Sequence, residues 1–365
     1  MPGLIFSAEV EMKVFFKILL GIIIAGILAA ALAAVFLTVT EYRPDDVEAL
    51  AVTGSSSGKK VPVNEPIEII SWNVGFAALG KDADFVMDGG GNVPMADKKT
   101  VISNLEGMES ILYSKDNVSI YLLQEADIDS KRSYHIDFRN EFFLSQNAFA
   151  LNYSCPFVPF PWPPFGRINS GLLTASDYEV EAAERISLPC PFSWPLRVAN
   201  LKRCLLVSYL PVEDSDKQLV LINLHLEAYD SGEGKIAQTK QLKEFMQSEY
   251  EKGNYVIAAG DFNQLFPDTE KIYPNTHPEN WEVGMLEEDS IPEGFRYVFD
   301  DTVPTCRLLN QPYDPEDTVN TQYYVIDGMI VSPNVQVERV ETLDEGFVYS
   351  DHNPVRFALT LQPEV

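Results

Sequence analysis

Positive charge is scarce in this sequence. Its 365 residues include 27 Lys or Arg against 54 Asp or Glu, a formal net charge of −27. Before residue 41 the charges balance, Lys13 and Lys17 offsetting Glu9 and Glu11, so the excess lies on the remainder. An acidic surface without a basic stripe repels polyphosphate chains and argues against tight, nonspecific DNA binding. Cysteine is scarce too. Four residues (Cys155, Cys190, Cys204, Cys306) do not define a disulfide framework. Outside a membrane they allow two bridges at most. Cys155 and Cys190, in similar Pro/aromatic segments, form the expected pair. No internal repeat is present, and no second domain boundary follows residue 66. A hydrophobic content of 46% supports a real core.

One long apolar run is present. Ile18–Leu37 is unbroken apolar and Gly/Ala sequence, enough for a helix to cross about 30 Å of hydrocarbon. Lys13 and Lys17 precede it, whereas Glu41, Asp45 and Asp46 follow. That asymmetry places residues 1–17 in the cytoplasm and everything after the helix (18–40) outside the cell membrane. Ala31-Leu32-Ala33 resembles a signal-peptide cleavage site. The run is longer than a signal core, however, and continues through Val35-Phe36-Leu37, so a retained single-pass anchor is expected. Residues 41–66, with Thr53-Gly54-Ser55-Ser56-Ser57-Gly58, have the composition of a flexible tether.

Short runs rich in Val, Ile, Leu and Tyr, bounded by turn residues, read as buried strands. They are Ile67–Trp72, Ser119–Leu123, Gly171–Ala175, Cys204–Tyr209, Leu219–Leu224, Tyr255–Ala259, Tyr323–Val331 and Val355–Leu361. Two helices intervene. Lys98–Tyr113 carries Val101, Ile102, Leu105, Met108, Ile111 and Leu112 on one face, and Ile236–Tyr250 carries Leu242, Phe245 and Met246. Many strands with few amphipathic helices predict an α/β or α+β sandwich.

Polar islands stand where these runs end. They are SWNVG (Ser71–Gly75), LLQE (Leu122–Glu125), NLHLE (Asn223–Glu227), AAGDFNQ (Ala258–Gln264), YVIDGM (Tyr324–Met329) and YSDHNPV (Tyr349–Val355). Polar groups at strand ends are costly unless metal, phosphate or water engages them. Singly, each has a plain reading: an Asx-turn, a loop containing a histidine, a satisfied core pair. Together they point to one convergent site.

In order and identity the islands resemble the signature of the endonuclease/exonuclease/phosphatase superfamily, the deoxyribonuclease I-like metal-dependent phosphodiesterases. The resemblance runs from about Glu65 to Gln362, and GDFN followed much later by SDHNPV is its specific part. It implies a catalytic domain over residues 67–362, acting as a monomer on a phosphate ester. The implied fold is a four-layer sandwich: two packed, mixed but mostly antiparallel sheets flanked by helices, with the site at one end. It also implies Mg²⁺, with Mn²⁺ the alternative. These cations favour carboxylate, amide and water oxygens, here from Glu125 supported by Asn73, with Asp351 facing the metal or its waters.

By the same resemblance His352 pairs with Asp327, which fixes the imidazole tautomer. The pair orients or deprotonates the attacking water, Asp261 being the alternative base. His225 would donate to a phosphate oxygen or assist the leaving group. Asp261 and Asn263 would hold the nucleophile and a non-bridging oxygen. Arg167 and Asn169 stand where relatives often place phosphate contacts. Some relatives have an acidic residue two places after the asparagine; here that place is Gly75, so this ligand is absent. Asp82, Asp84 and Asp88 read as a solvated loop, and His135 and His277 have no assigned role.

Two proline-studded stretches bear on substrate: Asn152–Gly166, with Tyr153, Phe157, Phe160, Trp162 and Phe165, and Leu188–Pro195. Stiff loops of this kind cannot join a sheet interior, so their aromatics pack on the domain or face outward. An outward rim at the bilayer interface would suit a lipid headgroup, as in the sphingomyelinase branch of the superfamily. The expected function is a surface-tethered phosphodiesterase acting on a lipid headgroup or small molecule. An extracellular nuclease is the alternative, since bound cations reverse an acidic field locally. A non-catalytic binding module would have lost at least one of Glu125, His225, Asp261, Asn263, Asp327 and His352.

Overall fold

In a computed structural model of the chain, residues 2–91, 96–115, 117–142, 144–160, 163–230, 232–317 and 319–363 are described. Side chains alternate between two buried faces along each central strand, because successive residues of a strand point to opposite sides. In β9 (Gln218–His225), Leu219 and Leu221 join the core between the sheets, whereas Val220, Ile222 and Leu224 join an outer core beneath a helix. β10 (Tyr255–Asp261) repeats the pattern, with Tyr255, Ile257 and Ala259 inward and Val256 and Ala258 outward.

One seven-stranded sheet runs in the order β1 (Val47–Leu50), β7 (Ala182–Ser187), β8 (Cys204–Pro211), β9, β10, β16 (Asp327–Val331), β13 (Arg296–Val298). The other runs β17 (Val335–Thr342), β18 (Val355–Leu361), β3 (Pro66–Asn73), β4 (Val118–Asp127), β6 (Gly166–Ser176), β5 (Gln146–Val158), β2 (Val52–Gly54). Within these sheets β3–β4 and β9–β10 pair parallel and the other neighbours antiparallel. Two small pairs, β11 (Gln264–Leu265) with β12 (Gly284–Met285) and β14 (Cys306–Arg307) with β15 (Tyr323–Tyr324), complete the strands.

The helices are α1 (Pro2–Val39), α2 (Lys98–Tyr113), the one-turn α3 (Phe138–Glu141) and α4 (Glu233–Glu251). Asp97 caps α2 by accepting from the Thr100 amide at 2.8 Å. Val101, Leu105, Met108 and Leu112 then pack on Ile70, Trp72, Tyr121 and Leu123. Leu242 and Met246 of α4 cover Val220, Ile222, Val256 and Ala258. The layers are helix, sheet, sheet, helix, as expected. Each large apolar side chain so buried contributes roughly 1.5–3 kcal/mol.

The structure corrects four expectations. The segment 41–66 is not a free tether throughout: β1 extends the first sheet through β7 and β2 extends the second through β5, so the chain clamps one lateral edge of the sandwich. Its stretch 55–60 is irregular and exposed, and residues 41–46 and 64–65 are likewise outside the strands. Asn152–Val158 does join a sheet, as the end of β5, with Pro156 at a break in the β5–β6 register. That is where a sheet tolerates a residue with no N–H. The four cysteines are free, Cys155 being buried in β5 and Cys190 exposed on a loop, so the expected pair is not bridged. Tyr323–Val331 divides into β15 and β16 around Val325 and Ile326.

Candidate active site

The inward face of each central strand ends in a polar residue, and these ends meet. Inward-facing Ile67 and Ile69 are followed in the same two-residue phase by Ser71 and Asn73; Leu219 and Leu221 by Asn223 and His225; Ile257 and Ala259 by Asp261. Met329 and Val331 share their phase with Asp327 on an antiparallel strand. Register completes the convergence, since Asp261 lies beside His225 on β9 and beside Asp327 on β16. Across the sandwich, Gln124 of β4 donates to Asn223 of β9 at 2.8 Å, joining the two sheets just beneath the site.

Asn73 is the hub. Its amide nitrogen lies 3.0 Å from Asp261 Oδ2 and 3.2 Å from Glu125 Oε1, and its Oδ1 accepts from the Gly75 amide. Glu125 interrupts the β4–β6 register and has a left-handed backbone, φ 55°. Phe76, Ala77 and Asn263 near it are also left-handed. Such conformations cost free energy for L-residues and gather where a site needs them. Asn263 donates its backbone amide to Asp261 Oδ1 and a side-chain N–H to the Leu226 carbonyl.

His352 comes from the loop before β18. The Trp72 indole donates to its carbonyl at 2.8 Å, and Ser350 Oγ, itself donating to the Asn73 carbonyl, accepts from its amide. Its Nδ1 lies 2.8 Å from Asp327 Oδ2, and its Nε2 lies 3.8 Å from Asp261 and 4.0 Å from Asp351. His225 Nε2 stands 3.3 Å from Asp261.

The two imidazoles are driven apart in charge. Burial and the positive charges of Arg203 and His352 hold His225 well below the ordinary histidine pKa. Burial also opposes charging of His352, but Asp327, Cys306 and Asp261 outweigh it and hold its pKa well above the ordinary value. Burial raises Asp261, a pull that His352 partly offsets. Asp351 is pushed up to about 6 by burial, lowered in part by His352 and raised further by Glu125.

Gly75 has a structural reason. At φ 47°, a β-carbon there would lie 3.0 Å from Asp351 Oδ1 and from Leu79, so a side chain would be strained in its backbone and crowd both. Asp351 itself fills that side of the site. The acidic group is oxygen-rich and crowded, with Glu125 and Asp261 on one amide and Asp351 lining the same cavity, an environment suited to a hard divalent cation. Ligand atoms of Asp261, Asp327 and His352, and of Cys306, Asp351 and His352, lie within 4.8 Å of one another. Burial pushes the Cys306 thiol up to about 12, so it stays neutral and is a poor ligand beside carboxylates.

Asn73, Glu125, His225, Asp261, Asn263, Asp351 and His352 line one end of a cavity of about 450 Å³, and Asp327 stands behind His352. Arg167 is not brought there: it is exposed and paired with Asp129 at 2.9 Å. Asn169 is turned away by the two-residue phase of β6, which sends Ile168 and Ser170 into the cavity instead, and its Oδ1 accepts from Ser154. His135 and His277 lie elsewhere, beside Asp129 and Glu279.

Several lining residues carried no sequence signal. Asp88, expected in a solvated loop, is buried, accepts from Tyr229 Oη at 2.8 Å, and is pushed up to about 6 by burial. Asp84, which does not line the cavity, is buried as well. Arg203 lies 3.8 Å from Glu227 and donates to the His225 carbonyl. Arg132 is held by both oxygens of Asp127. Arg307 donates to the Gly80 and Ala83 carbonyls. Asp88 and Arg307 are placed there by contacts 141 and 227 residues apart in sequence, Arg203 by one 22 residues away, and Arg132 by a local pair.

No protein-family model and no curated protein matches the sequence. Solved structures do. An endonuclease/exonuclease/phosphatase from Beutenbergia cavernae DSM 12333 aligns over 82% of this chain and 72% of its own, with TM-score 0.50 and 16% identity. One from Bacteroides vulgatus aligns over 82% and 100%, with TM-score 0.51 and 14% identity. This chain has the endonuclease/exonuclease/phosphatase fold. The human Nocturnin catalytic domain with bound sulfate anion aligns over 86% of this chain and 98% of its own, at 18% identity and TM-score 0.47. In the endonuclease/exonuclease/phosphatase fold seen here, the polar strand ends occupy one end of the sandwich.

Proposed function

We propose that this chain is a divalent-metal-dependent phosphodiester hydrolase, tethered by its N-terminal helix to the outer face of the cell membrane. The observation that carries the reading is the meeting of Asn73, Glu125, Asp261 and His225 with the His352–Asp327 pair at one end of one cavity. Glu125, Asn73 and Asp351 would hold Mg²⁺, with Mn²⁺ the alternative. When bound, the cation supplies positive charge against the phosphate and lowers the pKa of coordinated water.

The protein's own groups divide the remaining work. Asp327 orients His352, which in its neutral form, with a cation offsetting the carboxylates that hold its proton, would take the proton of the attacking water; Asp261, 3.8 Å from Nε2, is the alternative acceptor. Neutral His225 donates to a non-bridging oxygen or to the leaving oxygen. Asn73 and Asn263 keep Asp261 in place. The water oxygen bonds to phosphorus, one P–O ester bond breaks, and the departing oxygen takes a proton.

Among the described residues one helix, Met12–Val39, is long and apolar enough to cross a membrane, with mean hydropathy 2.9. Lys13 and Lys17 in its first turns and Glu41, Asp45 and Asp46 after it support an extracytoplasmic catalytic domain. The test is hydrolysis of bis(4-nitrophenyl) phosphate by the purified full chain in detergent, with Mg²⁺ or Mn²⁺ and with chelator. Metal-dependent turnover that His352→Ala removes supports the reading. Turnover unaffected by chelator, or none with either metal, overturns it.

A further inference from the structure

The cavity has a second end, and it is apolar. Away from the carboxylates it is walled by Phe160, Phe192, Leu196 and Ala199, of which Phe160 is 58% and Leu196 68% exposed. Beside them Phe157 is 45% and Trp194 56% exposed. Trp162 lies outside the described residues. Exposed large apolar groups gathered at a cavity mouth mark a surface with a partner.

The end of α1 indicates which partner. Met12–Ala33 is exposed along its length, but Ala34, Leu37 and Thr38 are half-buried against the domain. Trp194 donates its indole N–H to Thr38 Oγ1 at 3.0 Å. One turn on, Glu41 lies 3.2 Å from both Arg197 and Lys202. Tyr42 Oη donates to the Leu151 carbonyl. The last turn of the apolar helix is thus fastened to the loop that forms the cavity mouth. Trp194 sits level with the helix's emergence, the depth at which tryptophan is favoured in a bilayer.

We propose that the cavity takes the phosphodiester of a membrane lipid from the leaflet where α1 emerges, the lipid chains leaving across Phe157, Phe160, Trp194 and Leu196. This rests on the phosphodiesterase reading above and specifies its substrate. Water adds across one P–O bond, so a lipid phosphodiester yields a phosphomonoester and an alcohol without redox change. Lipid reaches the carboxylate end laterally, whereas a polyanionic chain in solution meets a strongly acidic domain.

The test uses the full chain in nanodiscs of phosphatidylcholine, phosphatidylglycerol and sphingomyelin with Mg²⁺ or Mn²⁺, reading phosphomonoester by mass spectrometry. Bis(4-nitrophenyl) phosphate is the soluble control and plasmid DNA the competitor. The variant is Phe157→Ser with Trp194→Ser, neither residue lining the cavity. The expected result is lipid turnover that falls at least tenfold in the variant, with soluble-diester turnover within twofold of the parent. Hydrolysis of the soluble diester or DNA without any lipid product overturns the lipid assignment and leaves the phosphodiesterase reading standing. Equal loss on lipid and soluble diester overturns the mouth's role. No hydrolysis of any substrate overturns both readings. As an independent readout, the Trp194 component of the fluorescence, defined by Trp194→Phe, should be quenched by brominated lipid. Its insensitivity would place the mouth away from the bilayer and refute the proposal.

Discussion

The two ends of the cavity are built differently. At the carboxylate end, β3, β9, β10 and β16 hold their polar residues through strand register, and Trp72, Thr305 and Ser350 lock the intervening loops. At the mouth, Phe160, Phe192 and Leu196 sit on segments outside the sheet ladders, anchored by α1 and a few ion pairs. A frame that permits sub-ångström placement serves bond-breaking; a looser apolar border serves capture. Changes at the first end should therefore act on turnover, and changes at the second on access.

The sharpest way to break that contrast is at the carboxylate end. Removing divalent metal by chelation should reduce hydrolysis to background, restored by Mg²⁺ or Mn²⁺; a steady-state assay on the soluble diester reads this directly. Next in size, His352→Ala or His225→Ala should lower kcat about 10²–10⁴-fold, the range of a lost acid–base group. Unchanged far-UV circular dichroism would show the fold intact, and turnover retained within threefold would remove either histidine from the chemistry. Asp327→Asn should cost less, about 10–100-fold, because it alters the orientation and basicity of His352 without deleting the imidazole. A kcat equal to the parent's would dissociate the pair. At the small end, Arg167→Ala should leave activity within about twofold, as its guanidinium serves an exposed pair with Asp129. A large rise in KM would place it at the substrate after all.

How much was legible in the sequence follows the same division. The inner strands could be read because both faces are buried, and their polar endings broke apolar runs at Asn73, His225 and Asp261. Lys98–Tyr113 could be read as a helix from its apolar stripe, although Ile102 is 38% exposed. The edge elements could not. β1 and β2 lie in a stretch whose Ser and Gly content masks four- and three-residue strands stabilised only by their neighbours. β5 was hidden by Pro156, which the sheet accommodates at a register break. Arg203, Arg307, Asp88 and Tyr229 reach the cavity by contacts spanning up to 227 residues, as between Arg307 and Gly80. No local pattern encodes such a meeting.

The left-handed backbone at Glu125 carries a consequence for the molecule's durability. A carboxylate is kept there although glycine would occupy φ 55° without steric penalty. Glu125→Gly should therefore yield a protein that resists heating at least as well as its parent while no longer turning over substrate. Melting by calorimetry alongside the diester assay would reveal whether robustness has been surrendered at that one position in exchange for a working centre.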